Sequence, residues 1–399
     1  MAASNLFSTD FPLYALLAGP NGRLFAAGGG GQARTGVPNV LEIYNVEESG
    51  KKLKCIRVDR IDVGQHAVMN AAVDDNQTYV AIGMDSTCRL TAIRAAKLSS
   101  KKSTGSPARR RRRTEESRSH ADGLTLETVV ERQTDFSDQG AFQKCVRFSR
   151  SGNALATGGV DSCIRIWTCP DMKLSHTLQG HLDEIDDLDF SSTSNHLVSV
   201  SRDQSARAWN LSSGKQEHVL AKDKAVGTKP YRFRACRYGR GKSKQHFYTA
   251  LIPVRPNGKD SSCIAMWNGK TFDFVRSSKV GHDPITKLEA SSGGAYVAIG
   301  TSEGSISVYN AENLQLVSKV TGVHQSFITG LAFFDLPLVE KNVTQKNAKR
   351  DVIGHETVIL SISVDRMCQL TRVKTRLSWE VVLLFLLPLV GIVMCLFVL

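Results

Sequence analysis

Gly28 to Gly31 are four consecutive glycines, followed closely by Thr35-Gly36 and Pro38-Asn39, and the whole stretch separates two apolar runs, "LFAA" and "VLEIY". Glycine lets backbone take positive φ and come close to another molecule, which suits phosphate cradles, tight turns and recognition loops. A phosphate-binding P-loop needs G-x-x-x-x-G-K-[ST]. Gly31 and Gly36 have that glycine spacing, but Val37-Pro38 stand where Lys and Ser/Thr belong. The dinucleotide pattern fails as well, because Ala33 takes the third glycine position and a strand follows instead of a helix. What remains is a protruding loop that buries little, flexible at its glycine end and stiffened at Pro38. It would offer backbone amides and carbonyls, with Thr35 and Asn39, to a partner.

Two other groupings invite chemistry. His181, Ser199, Asp203 and Trp209 contain the residue types of a hydrolase triad. The nine cysteines are scattered from Cys55 to Cys395 with no C-x-x-C, which argues against a zinc site or a disulfide framework and agrees with a reducing compartment.

The elements that carry these residues repeat. "LATGGVDSCIRIW" (155–167), "LVSVSRDQSARAW" (197–209) and "YVAIGTSEGSISVY" (296–309) each read as a strand, a tight acidic turn and an alternating strand ending in an aromatic. Trp167 to Trp209 is 42 residues, and so is Trp267 to Tyr309. With Gly180-His181 and Gly281-His282 before two of the units, the pattern resembles the WD-repeat family of four-stranded propeller blades. The resemblance implies that His181, Ser199, Asp203 and Trp209 form a buried structural network rather than a catalytic one. An all-β, seven-bladed propeller is expected, with first strands beginning near Phe11, His66, Ala141, Leu182, Tyr231, Pro284 and Phe327. The last blade shows three strands, so a closing fourth is expected from the N-terminus, around Asn5 to Thr9.

Between the third and fourth strands of the second blade, the stretch 97–120 is poor in apolar residues and reads as a disordered insertion. From Lys97 to Arg118 it carries nine basic and two acidic residues, so over half of the chain's net charge of +13 lies there. The propeller itself is only mildly basic. At the other end, Val381 to Leu399 is a run of 19 uncharged residues, close to the roughly 20 that cross a bilayer as a helix. It reads as a C-terminal anchor, giving a propeller over 1–376 and a transmembrane segment over 377–399. Arg372, Lys374 and Arg376 just before the run place the propeller on the cytosolic side. The N-terminus does not read as a signal peptide, so insertion would be post-translational.

Short turns on Asp85, Asp161, Asp203, Glu303 or Asp365 join second and third strands elsewhere, and the glycine loop is the first blade's departure from that plan. Together with "FPLYAL", "AAGGGG", "TGVPN", "QTDF" and "PYRFRACRYG", it makes the chain resemble the endoplasmic-reticulum guanine nucleotide exchange factors that activate the small GTPase starting COPII coat assembly. The resemblance implies a partner GTPase at the endoplasmic-reticulum membrane, engaged by Gly28, Gly29, Gly30, Gly31, Thr35, Gly36, Val37, Pro38 and Asn39. It implies GDP release by binding, without covalent chemistry. It also implies a potassium ion held by backbone carbonyls of this loop. The competing readings are a DNA-binding regulator using Arg109 to Arg113 and a passive scaffold. Nothing in the sequence forms a helix-turn-helix, zinc-finger or basic-zipper module, so nucleic acid is not an expected partner.

Strand order adds a geometric expectation. In a WD propeller the glycine loop shares a face with the connections between blades, while the basic insertion and the exit toward the anchor lie on the opposite face.

Overall fold

The computed structural model describes residues 3–19, 22–32, 36–49, 52–95, 124–255, 258–334 and 357–373. They form seven four-stranded antiparallel sheets, each following chain order except the last. The first strands of the blades begin at Leu13, Asn70, Gln143, Ile185, Tyr231, Ile285 and Ile328, at most four residues after the expected positions.

Burial follows position within the blade. Second strands such as Tyr79–Met84, Ala154–Gly159 and Tyr296–Thr301 are buried along nearly their whole length, because neighbouring blades cover both sides. Their β-branched and small residues suit a strand packed on both faces. Outer strands such as Leu174–Leu178 and Lys215–Val219 are mostly exposed. Six of the first strands carry a bulge, one residue in at Tyr14, Lys144, Asp186, Thr286 and Thr329 and three residues in at Arg234. Such a bulge re-aims the extra side chain and tightens the local twist.

The last blade is closed as expected, with Ser4–Ser8 pairing as its fourth strand against Met367–Val373. This removes the open edge that a three-stranded blade would leave. Phe7 on the closing strand stacks on Tyr44 of the first blade with ring centroids 4.2 Å apart, so the two ends of the ring are also packed together.

The strand order fixes the faces. The glycine loop joins the second strand of blade 1, Arg23–Gly28, to the third, Val40–Ser49. The third and fourth strands of blade 2, Thr87–Ala95 and Leu124–Gln133, flank the basic insertion. Val373 pairs with Thr357 at the start of the second strand of blade 7, so the chain leaves on the same face as that insertion and opposite the glycine loop. Residues 97–120 and 377–399, on which the insertion and the anchor were read, lie outside the described residues. Among the described residues no helix is long and apolar enough to cross a membrane.

Candidate functional site

The glycine loop has a buried base and an exposed tip. Gly28 and Gly29 are buried, Gly30 and Gly31 half-buried, and Gln32 and Gly36 exposed, while Thr35 lies outside the described residues. The first two glycines are required by close approach. A Cβ on Gly28 would stand 1.9 Å from the carbonyl oxygen of Pro12, and one on Gly29 would stand 2.2 Å from Oδ1 of Asn39. Nothing lies within 4 Å of a Cβ placed on Gly31 or Gly36, both of which have φ above +70°. Gly28 and Gly29 therefore serve the blade, while Gly31 and Gly36 leave an open, left-handed tip.

Asn39 differs from the expectation that it faces a partner and that the loop buries little. Its side chain is turned inward and only 7% of the residue is exposed. Oδ1 accepts the N–H of Gly31 at 2.8 Å, and Nδ2 donates to the carbonyls of Gly31 at 3.2 Å and Gly64 at 3.0 Å. Backbone joins in, because Val63 N–H donates to the Asn39 carbonyl at 3.0 Å and Gly29 N–H to that of Pro12 at 3.2 Å. The physical reason is that a loop start and a loop end meeting at a blade rim leave backbone groups without ladder partners, and a short amide side chain satisfies both a donor and an acceptor. Val37 packs on the apolar cluster around Phe11, Leu13 and Tyr44.

A second tether comes from blade 2. His66 Nδ1 lies 2.6 Å from Oδ2 of Asp85 and 3.0 Å from Nε2 of Gln32, so the start of the exposed tip rests against the adjoining blade. The pair repeats the histidine–aspartate arrangement seen elsewhere in the ring, but here both side chains are partly exposed, 39% and 43%.

In blade 4, His181 Nδ1 lies 2.8 Å from Asp203 Oδ2 and its Nε2 lies 2.8 Å from Ser199 Oγ, which also accepts the Trp209 indole N–H at 2.8 Å. The Ser199 residue has no exposure. A hydroxyl so enclosed reaches no substrate, and the four groups satisfy one another. Blade 7 repeats the arrangement with His324, Asp365 and Ser361 at 2.8 and 2.9 Å.

For potassium, the test is the donor set. Among the described residues no three His, Cys, Asp or Glu side chains converge as a metal site. The carbonyls of Gly31 and Gly64 both accept from the Asn39 amide nitrogen, so at that point they are already engaged and Asn39 orders the loop.

The WD domain, G-beta repeat family matches residues 134–168 and 172–210, which carry the four strands of blade 3 and the first three of blade 4. The guanine nucleotide-exchange factor SEC12 of Mus musculus is 32% identical over 402 residues, spanning 96% of this chain and 93% of that protein. The chain belongs to the SEC12 family. The Rattus norvegicus SEC12 is 31% identical over 402 residues, and SEC12-like protein 1 of Arabidopsis thaliana 26% identical over 204 residues, about half of either chain (49% and 46%).

Three residues that hold the loop, Gln32, His66 and Asp85, were not legible as site residues. Their signal was the sequence Gly64-Gln65-His66, a Gly-His pair with one residue inserted, 19 residues before Asp85. A second long connection on the loop's face, 254–261, joins the second and third strands of blade 5, and of it residues 256 and 257 lie outside the described ones.

Proposed function

We propose that this protein is a guanine nucleotide exchange factor for the small GTPase that initiates COPII coat assembly at the endoplasmic reticulum, acting through the tip of the first-blade glycine loop. The observation that carries the reading is the loop's construction: a base locked by Asn39 and His66 beneath a tip with open space around Gly31 and Gly36. Relatives matching along nearly the whole chain bear the exchange-factor name. A locked base lowers the entropy lost when the tip enters a partner's nucleotide site. There the tip's amides and carbonyls compete with contacts to phosphate and magnesium. Binding the nucleotide-free GTPase more tightly than the GDP-bound form accelerates release without any covalent step. Arriving GTP then expels the loop by the same linkage.

The stretch 377–399 is proposed as the membrane anchor, with the propeller on the cytosolic side. Nothing favours the DNA-binding reading: among the described residues the one α-helix, Lys222–Val226, has five residues, too short to read a major groove. The test is release of a fluorescent GDP analogue from a panel of purified small GTPases by the full-length chain in detergent. Acceleration of at least tenfold for the COPII-initiating GTPase, absent when Gly29 to Gly31 are deleted from a folded protein, is the expected result. Release at the spontaneous rate throughout the panel would overturn it.

A further inference from the structure

The seven first strands line a channel on the propeller axis, and a cavity of about 500 Å³ opens within it. Its mouth is formed by turns between first and second strands, including Asp75, Arg150, Arg240 and Ser292. It therefore opens on the face from which the chain leaves after Val373, away from the glycine loop. The cavity is two-sided: Leu16, Ala71, Leu331 and Phe333 give blades 7, 1 and 2 an apolar wall, while Arg147, Asp189, Arg237, Lys287 and Glu289 charge the wall of blades 3 to 6.

The charges on that wall are incompletely matched. Arg237 is well paired, 2.6 Å from Asp187 and 3.2 Å from Glu289. Arg147 stands 3.6 Å from Asp187, Arg150 3.7 Å from Asp189 and Arg240 3.5 Å from Asp75. These are longer than the 2.7–2.9 Å of a charge-assisted hydrogen bond, so most of their N–H donors are not committed to carboxylates. Lys287, half-buried in blade 6, makes no ion pair within 4.0 Å among the described residues. Burial and the nearby Arg234 and Arg147 push its ammonium down to about 8, with Asp187 opposing. Asp187, the carboxylate that acts on it, is paired at 2.6 Å with Arg237 instead.

We propose that the axial cavity binds a phosphate-bearing ligand, with Lys287, Arg147, Arg150 and Arg240 on the phosphate and Leu16, Leu331 and Phe333 against the ligand's apolar part. The cavity lining sets Arg147, Arg150, Arg237, Arg240 and Lys287 against Asp74, Asp75, Asp189 and Glu289, and a phosphate monoester, with three acceptor oxygens and up to two charges, can take up the N–H donors that these carboxylates leave uncommitted. A soluble phosphate ester and a phosphorylated lipid headgroup share this chemistry, and the mouth's position on the exit face leaves both able to reach it.

The experiment uses the full-length chain in neutral detergent. Its thermal midpoint is followed against inorganic phosphate with sodium chloride at matched ionic strength as control, and then after reconstitution into phosphatidylcholine vesicles with and without phosphatidic acid. The midpoint should climb with the logarithm of ligand concentration. Lys287→Met, which keeps the stem and removes the charge, should abolish that climb, and Arg150→Gln at the mouth should weaken it at least tenfold in concentration. A shift with free phosphate assigns a soluble ligand, and a shift confined to phosphatidic acid vesicles assigns a lipid. No shift beyond the chloride control in either arm, or an equal shift in both variants, overturns the site.

Discussion

Asn39 makes three side-chain hydrogen bonds that join the two ends of the glycine loop to the connection between blades 1 and 2. At about 1 kcal/mol net for each such bond, Asn39→Ala should lower the propeller's stability by about 1–3 kcal/mol. It should slow GDP release at least tenfold, because an unheld tip must be ordered at each encounter. Asn39→Asp should be worse. It keeps the acceptor for the Gly31 N–H but turns carboxylate oxygen toward two carbonyls that now receive an amide. Denaturant unfolding and single-turnover GDP release on the purified variants decide this, and an Asp variant as active and stable as the parent would refute the clamp.

The strands explain why most of the architecture could be read in advance and part of the site could not. The strand-ending aromatics Trp167 and Trp209, and Trp267 and Tyr309, stand 42 residues apart because each blade repeats the same four strands, and the missing fourth strand of the final blade points to a closing strand around Asn5 to Thr9, which the structure places at Ser4–Ser8. Asn39 misled because a polar residue beside Pro38 reads as exposed, and only the three-dimensional meeting of the loop with Gly64 turns it inward. At this scale the buried networks also govern response to acid. Burial raises the Asp203 carboxyl, but hydrogen bonds from His181, Ser205 and the backbone N–H of Leu182 and Ser205 outweigh it and hold the group below the usual carboxylate range. Below pH ~4 the unfolded aspartate takes up a proton that the folded one still refuses. The stability this group contributes is therefore complete above pH ~4 and is lost as pH falls toward the folded value. Asp203→Asn should flatten the acid limb of the stability curve while leaving GDP release per folded molecule unchanged. An unaltered acid limb, or lost exchange in a folded variant, would contradict a structural role for the network.

The ring as a whole is polar in the geometric sense: the recognition loop opens on one face, and the chain's exit, the flanks of the basic insertion and the mouth of the axial cavity share the other. Under the proposed anchor, the link from Lys374 to Glu380 is about seven residues and spans at most ~25 Å, which keeps the exit face close to the bilayer. The glycine loop then points toward the cytosol. The strands that flank the insertion end at Ala95 and begin at Leu124, both on the face that this anchor turns toward the membrane. Each basic residue near an anionic surface adds about 1 kcal/mol of attraction, decaying within a Debye length. Replacing Arg109 to Arg113 by Ser should consequently leave GDP release in detergent unchanged, since both strands that flank the insertion meet it on the face opposite the glycine loop. The same change in a chain ending at Val373 should weaken binding to phosphatidylserine vesicles at least tenfold at low salt and much less at high salt, as vesicle co-sedimentation would show. A loss of exchange in detergent would place the insertion at the GTPase and contradict the two-faced arrangement. Salt-independent vesicle binding would remove the electrostatic account of the insertion.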